Sequence, residues 1–373
     1  MSKLKRFPVS TFGIASRSLL ALLLYWCLLT PASAALVEDL YSVELPVADQ
    51  TTTQRLAVFR QAMREVIVKV SGSSTALEAP GLKRPLVSSA RYVLQYSYFS
   101  QRDDAEDSAD AGQLFLRVLF NQDALESLLR ENNIPIWGKQ RPSTLMLIML
   151  DVNRQVALVS GDTTSDMLAE LEQEAARKGL PVLLPLLDLE DRSILGNRNT
   201  VALNEVEIQA LAERYAPDAV LVGRLRARVG EGWQGEWQIR MAQQVHTWSY
   251  RGRSREDTLR NLMDRLANTL ATQYALQTDV VVDQDILLGV ERVDQLVDHT
   301  RVLAYLQSLD AVEAARPVLI HEDRVTYRIS LRNSVEDLQQ LISLGNTLEQ
   351  LDLPAVDTTR EDDTVLLNYQ FIR

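Results

Sequence analysis

Cysteine and histidine are the scarcest reactive residues in this 373-residue chain, with one copy of the first and three of the second. The lone thiol, Cys27, falls inside an N-terminal stretch expected to be removed, which leaves no disulfide, thiolate nucleophile or cysteine-based metal site. His246, His299 and His321 fall in separate predicted elements without an i, i+4 pair, so the spacing of a zinc site is missing. Beyond residue 34 there is no long apolar run either. The longest, Leu145 to Leu150, suits a buried strand and falls far short of the ~18 residues that suggest a membrane span. Aromatic residues make up only 6% of the chain.

The first 34 residues differ in kind from the rest. Lys3, Lys5, Arg6 and Arg17 precede an uninterrupted apolar run from Leu19 to Leu29, and Ala32-Ser33-Ala34 follows with small residues at −3 and −1. This is the pattern of a secretory signal peptide, with cleavage expected after Ala34. Leu24-Tyr25-Trp26-Cys27 puts bulky aromatics where acylation needs small residues, so a lipid anchor is not expected. Removing the leader leaves 35 basic against 50 acidic residues, a net charge of −15. A surface that acidic repels phosphate backbones and anionic headgroups, which disfavours nucleic acid and an electrostatic membrane clamp. No integral membrane segment is expected after cleavage.

Hydrophobic periodicity divides the remainder into three αβ modules, an α+β fold class, over residues 35–142, 143–276 and 277–373. The first reads βαββα: a strand from Leu40 to Val47, a helix with Leu56, Phe59, Met63, Val66, Ile67 and Val70 on one stripe, strands at Tyr92–Phe99 and Leu114–Phe120, and a helix from Asp123. Gly138-Lys139-Gln140-Arg141-Pro142 then forms a polar, Pro-terminated joint.

The middle module reads as a mixed sheet with helices on one side. Its strands are expected at Leu145–Leu150, over the apolar run Val182–Leu187, and in a meander over Ala219–Val229, Trp233–Met241 and Val245–Tyr250. Asn204 with Glu207 makes a capping box, and Ser254 with Asp257 caps a helix carrying Leu259, Leu262, Met263, Leu266, Leu270 and Tyr274 on one face. The last module reads βαββαβ, the split ferredoxin-like order, with its final strand at Thr364–Ile372.

Candidate chemistry concentrates in the meander. Gly230, Gly232 and Gly235 spell G-x-G-x-x-G, but alternation continues where a dinucleotide site needs a helix N-terminus, so the glycines read as a hairpin turn. Arg224, Arg226 and Arg228 share one strand face, as a basic stripe for an anionic ligand or as cross-strand ion pairs. Trp233, Trp237 and Trp248 form either sheet-on-helix core or a stacking platform for a sugar ring or partner side chain. The acidic stretches Asp103–Asp110 and Asp188–Asp191 lack EF-hand spacing and read as solvated loops. The segment Val70-Ser71-Gly72-Ser73-Ser74 reads as a helix-end turn and lacks the flanking glycines of a nucleophile elbow. No catalytic, metal or cofactor residues are assigned.

Four segments together carry a family resemblance: the exported N-terminus, Tyr41-Ser42-Val43-Glu44-Leu45-Pro46-Val47, Val66-Ile67-Val68-Lys69-Val70-Ser71-Gly72, and Ile136-Trp137-Gly138 leading to Arg141-Pro142. In these the chain resembles a proteobacterial secreted family known as a domain of unknown function, over nearly the whole mature chain. The resemblance implies a periplasmic protein of Gram-negative bacteria and brings no catalytic residues. The middle module is similar in architecture to periplasmic αβ domains that activate penicillin-binding proteins or assist curli secretion. The carriers are Gly179-Leu180-Pro181 and Tyr215-Ala216-Pro217-Asp218-Ala219-Val220-Leu221-Val222-Gly223.

The expectation is therefore a non-enzymatic binding or adaptor protein of the cell envelope, acting on another envelope protein. Two alternatives stand beside it: a glycan-binding protein or carboxylate-dependent hydrolase, and a component of secretion or flagellar assembly. Oligomeric state is open.

Overall fold

The computed structural model describes residue 37 and residues 39–101, 113–153, 155–161, 166–196, 203–228, 230, 232–241, 244–275, 284–351 and 366–372. The expected leader and the acidic loop 103–110 lie outside the described residues.

In the first module, strand β1 (Ser42–Pro46) leads into helix α1 (Thr52–Ser71). The Thr51 hydroxyl accepts from Gln54 N at the start of α1, and Gly72 ends it in the left-handed region at φ 70°. Short 3-10 turns and helix α2 (Lys83–Val87) connect to β2 (Val93–Gln101), β3 (Gln113–Phe120) and helix α3 (Gln122–Glu131). The antiparallel sheet has the order β1-β3-β2. The βαββα succession is as read, but Leu56, expected on the buried stripe of α1, is exposed because it lies in the first turns, ahead of the buried residues that start at Val58. The turns before β2 carry Pro80 and Pro85 and no regular period, which hid them.

The middle module contains β4 (Thr144–Val152), β5 (Gln155–Leu158), α4 (Asp166–Lys178), β6 (Val182–Leu183), α5 (Leu189–Leu195), α6 (Glu205–Tyr215), β7 (Ala219–Arg228), β8 (Gly232–Met241), β9 (Gln244–Gly252) and α7 (Arg255–Tyr274). Its sheet runs β5-β4-β7-β8-β9, with β6 parallel to β4. Two expectations need correction. Helices cover both faces of this sheet: Met146 and Ile148 pack with α4 and α7, whereas Leu145 and Leu147 pack with Ile208 and Leu211 of α6. Alternate residues of a strand point to opposite faces, so an unbroken apolar run means burial on both sides. The expected strand Val182–Leu187 shrinks to two residues because Pro185 has no N–H to pair.

The last module contains β10 (Gln284–Glu291), α8 (Leu296–Ser308), β11 (Val312–His321), β12 (Arg324–Leu331), α9 (Val335–Ser343), β13 (Leu348–Gln350) and β14 (Leu366–Phe371), ordered β11-β12-β10-β14-β13. The expected βαββαβ order is present with one short strand added. Because β13 turns the chain once more, β14 runs parallel to β10.

A separate hydrophobic core serves each sheet, and the middle sheet has a smaller one on its second face. Among the described residues no helix is long and apolar enough to cross a membrane.

Candidate functional site

The joint read as polar is deeply enclosed. Arg141 is fully buried, and all five of its N–H donors reach backbone carbonyls. Nε donates to Gly138 at 2.9 Å, Nη1 to Lys178 at 2.7 Å and Gly179 at 3.0 Å, and Nη2 to Lys69 at 2.7 Å and Trp137 at 2.8 Å. Lys69 and Lys178 lie in the last turns of α1 and α4, so one cation closes two helix C-termini where orphan carbonyls concentrate negative charge. Burial pushes the guanidinium down to about 9.

Neighbouring residues extend this junction into all three modules. Trp137 N donates to Val70 O at 2.7 Å, and Lys139 N donates to the Asp310 carboxylate at 2.8 Å. A Cβ on Gly138 would stand 1.8 Å from Asp310 Oδ2, and one on Gly72 would stand 2.3 Å from Ala271 Cβ. Both glycines are needed for close approach. The segments that carried the family resemblance, Val66–Gly72 and Ile136–Arg141, therefore meet in space to join the modules.

Beside the junction lies an open groove of about 1170 Å³ between the outer edge of β1 and helices α4 and α7. Lys69 reaches its floor, and Nζ donates to Ser42 O at 3.0 Å and Asp39 O at 3.3 Å. Burial, reinforced by the Arg141 charge, pushes the amine down to about 8. On the opposite wall the carboxylates are neutralised: Glu174 by Arg177 and Arg260, and Glu170 by Arg255. Lys69 was not legible as a site residue, although a lysine inside the buried stripe V-I-V-K-V is an available signal.

In the meander, Arg224 reaches Asp151 at 3.0 Å, while Arg226 lies 3.5 Å from Asp151 and 4.0 Å from Glu236. Asp151 comes from β4, which pairs in parallel with β7, so sequence distance concealed the partner. The Arg228 side chain lies outside the described residues. Trp237 is 3% exposed and sits opposite Trp248 in register. Its indole lies against Gly223 and Gly235, where a Cβ would meet the ring at 2.1 and 2.5 Å. Trp233 and Trp248 pack half-buried against the same core. Gly230 and Gly232 have φ of 78° and 82°, as a hairpin turn requires.

One acidic stretch corrects an expectation. Asp188 caps α5 and Asp191 is fully buried, both bound by Arg214 of α6, so this is a packed ion network and not a solvated loop. The Arg214 guanidinium and backbone N–H groups hold the Asp188 carboxyl down at about 2. His246 and His321 are exposed, while the His299 ring lies 5.8 Å from Tyr327. Among the described residues no group of three His, Cys, Asp or Glu is placed to hold a metal ion.

With this geometry established, comparison with known proteins places the first module. Residues 34–138 match Domain of unknown function (DUF8605). The matched stretch of that domain ends at Gly138, inside the junction. No curated protein matches the chain. A competence or damage-inducible protein from Enterobacter asburiae is similar at 13% identity, covering 40% of this chain and 94% of its own, with a TM-score of 0.21. A score that low bears on neither fold nor function.

Proposed function

We propose that this chain is exported, loses its leader after Ala34, and works in the periplasm as a non-enzymatic adaptor that binds other envelope proteins. The reading is supported by where the polar chemistry of the fold goes. The residues of the family resemblance build the junction of the modules, and the strands that end the three sheets, β2, β9 and β11 among them, each keep one edge unpaired among the described residues. An open edge on a fixed body is a ready template for a partner strand. The supporting observation is the Arg141 junction, which spends all its donors on backbone carbonyls and leaves binding to the outer surfaces.

Photo-crosslinking residues placed at Gln95, Thr247 and Leu319 in living cells, followed by mass spectrometry, test this. A defined envelope protein captured from at least one position is expected. Intact leader on protein recovered from cytosol, or turnover of a cell-wall substrate by the purified protein, would overturn it.

A further inference from the structure

Of the six strands that end the three sheets, β1, β2, β5, β9, β11 and β13, β2 is the longest that lacks every blunting residue. Its nine residues, Val93–Gln101, contain no charge, proline or glycine. Natural edges are blunted by charges, proline or bulges. The outer edge of β1 has Pro46 and the Lys69 amine on Ser42 O, β9 carries Arg251, and β11 carries Pro317 beside a register shift. The edge of β2 has only an irregularity between Val93 and Gln95, and from there to Gln101 it runs regularly along β3. Leu94 is 64% exposed and Tyr96 45%.

Across a sequence of formal charge −11, several arginines hold a carboxylate, as Arg117, Arg130, Arg177, Arg214, Arg224 and Arg260 do. Arg55, Arg60 and Arg64 on α1, Lys83 and Arg84 on α2, and Arg91 just before β2 have no ion-pair partner among the described residues. Arg55 lies 5.4 Å from the centre of the Tyr96 ring, which meets Phe59 of α1 edge-on at 5.4 Å. Arg55 thus borders the open strand directly, and Arg91 stands two residues before it in the chain.

We infer that the edge of β2 receives an extended acidic polypeptide segment, paired to the strand through its backbone and held by these cations through its carboxylates. The inference rests on the adaptor reading and gives that partner a chemistry. A lipid surface cannot supply alternating donors and acceptors, and open sheet edges are not buried in hydrocarbon. A second copy would bring a second set of the same cations against the first, which is repulsive.

The test uses the purified protein and a fluorescein-labelled eight-residue peptide alternating valine and glutamate, with lysine and glutamine versions as controls. Anisotropy titration is expected to show the glutamate peptide binding at least about tenfold tighter than either control, with the difference shrinking in salt. Slowed amide exchange over residues 95–101 should accompany binding. Arg60→Glu with Arg91→Glu, both exposed, should remove the preference while leaving the unfolding midpoint unchanged.

Equal binding of all three peptides would overturn the inference. So would protection confined to β9 or β11, or capture by phosphatidylglycerol vesicles that the glutamate peptide does not compete. Loss of peptide binding while envelope partners still crosslink at Thr247 or Leu319 sinks this inference and spares the adaptor reading. Acidic peptide binding with no partner in cells does the reverse.

Discussion

The guanidinium of Arg141 lies 4.2 Å from the centre of the Trp137 ring and donates to the carbonyl of that same residue at 2.8 Å. The pair closes the C-termini of two helices from different modules, so the joint is a fixed corner.

Replacing Arg141 with methionine strands five carbonyls in a dry interior and should cost on the order of 3–5 kcal/mol. Lysine keeps the charge but offers three donors on a flexible stem, so R141K should fall between methionine and wild type. Urea unfolding measures both, and proteolysis near residues 138–142 should speed up in each variant. R141K with wild-type stability would refute this account of the junction.

Lys69 should make stability rise with alkaline pH. Its folded-state amine titrates near 8 against an ordinary 10.5, so between those values the unfolded chain binds more protons. Stability therefore increases as pH climbs through that window and is lost as pH falls toward 8. The denaturation midpoint of the wild type should gain on that of K69M between pH 7.5 and 9.5, below the range where tyrosines ionise. Parallel profiles would contradict the shift.

Two glycines with left-handed backbones should respond differently to alanine. Gly230, at φ 78°, has open space around it and should lose about 1–2 kcal/mol from conformation alone. Gly72, at φ 70°, would in addition drive a methyl into Ala271 and Trp137, and should lose clearly more. Equal unfolding midpoints for G72A and G230A would show that the junction can move aside.

Iodide quenching of single-tryptophan variants should leave Trp137 and Trp237 shielded, at 1% and 3% exposure, and reach Trp233 and Trp248 in part. Full quenching of Trp237 would restore the idea of a stacking platform.

How far the candidate sites could be read in advance depended on sequence distance. The hairpin at Gly230 and Gly232 was legible because turn geometry is local and only a few residues tolerate positive φ. The α6 capping box was legible for the same reason: Asn204 and Glu207 are three residues apart. The partner of Arg224, by contrast, lies 73 residues upstream at Asp151, and nothing in either neighbourhood announces the other. The buried apolar run of β4 pointed to a core strand but not to a second helical layer, since periodicity records burial and not which element covers it.

The α+β class, the three-module succession and the caps follow from local periodicity and short-range hydrogen bonding, which a linear chain already encodes. Only the folded molecule decided that Lys69, Trp137, Arg141, Lys178 and Asp310 share one buried corner, that β14 runs parallel to β10, and which cations stay unpaired beside β2. The physical reason is range: helix, strand and turn propensities act over a few residues. Charge pairing and backbone capping act through space, between atoms that packing alone brings within reach.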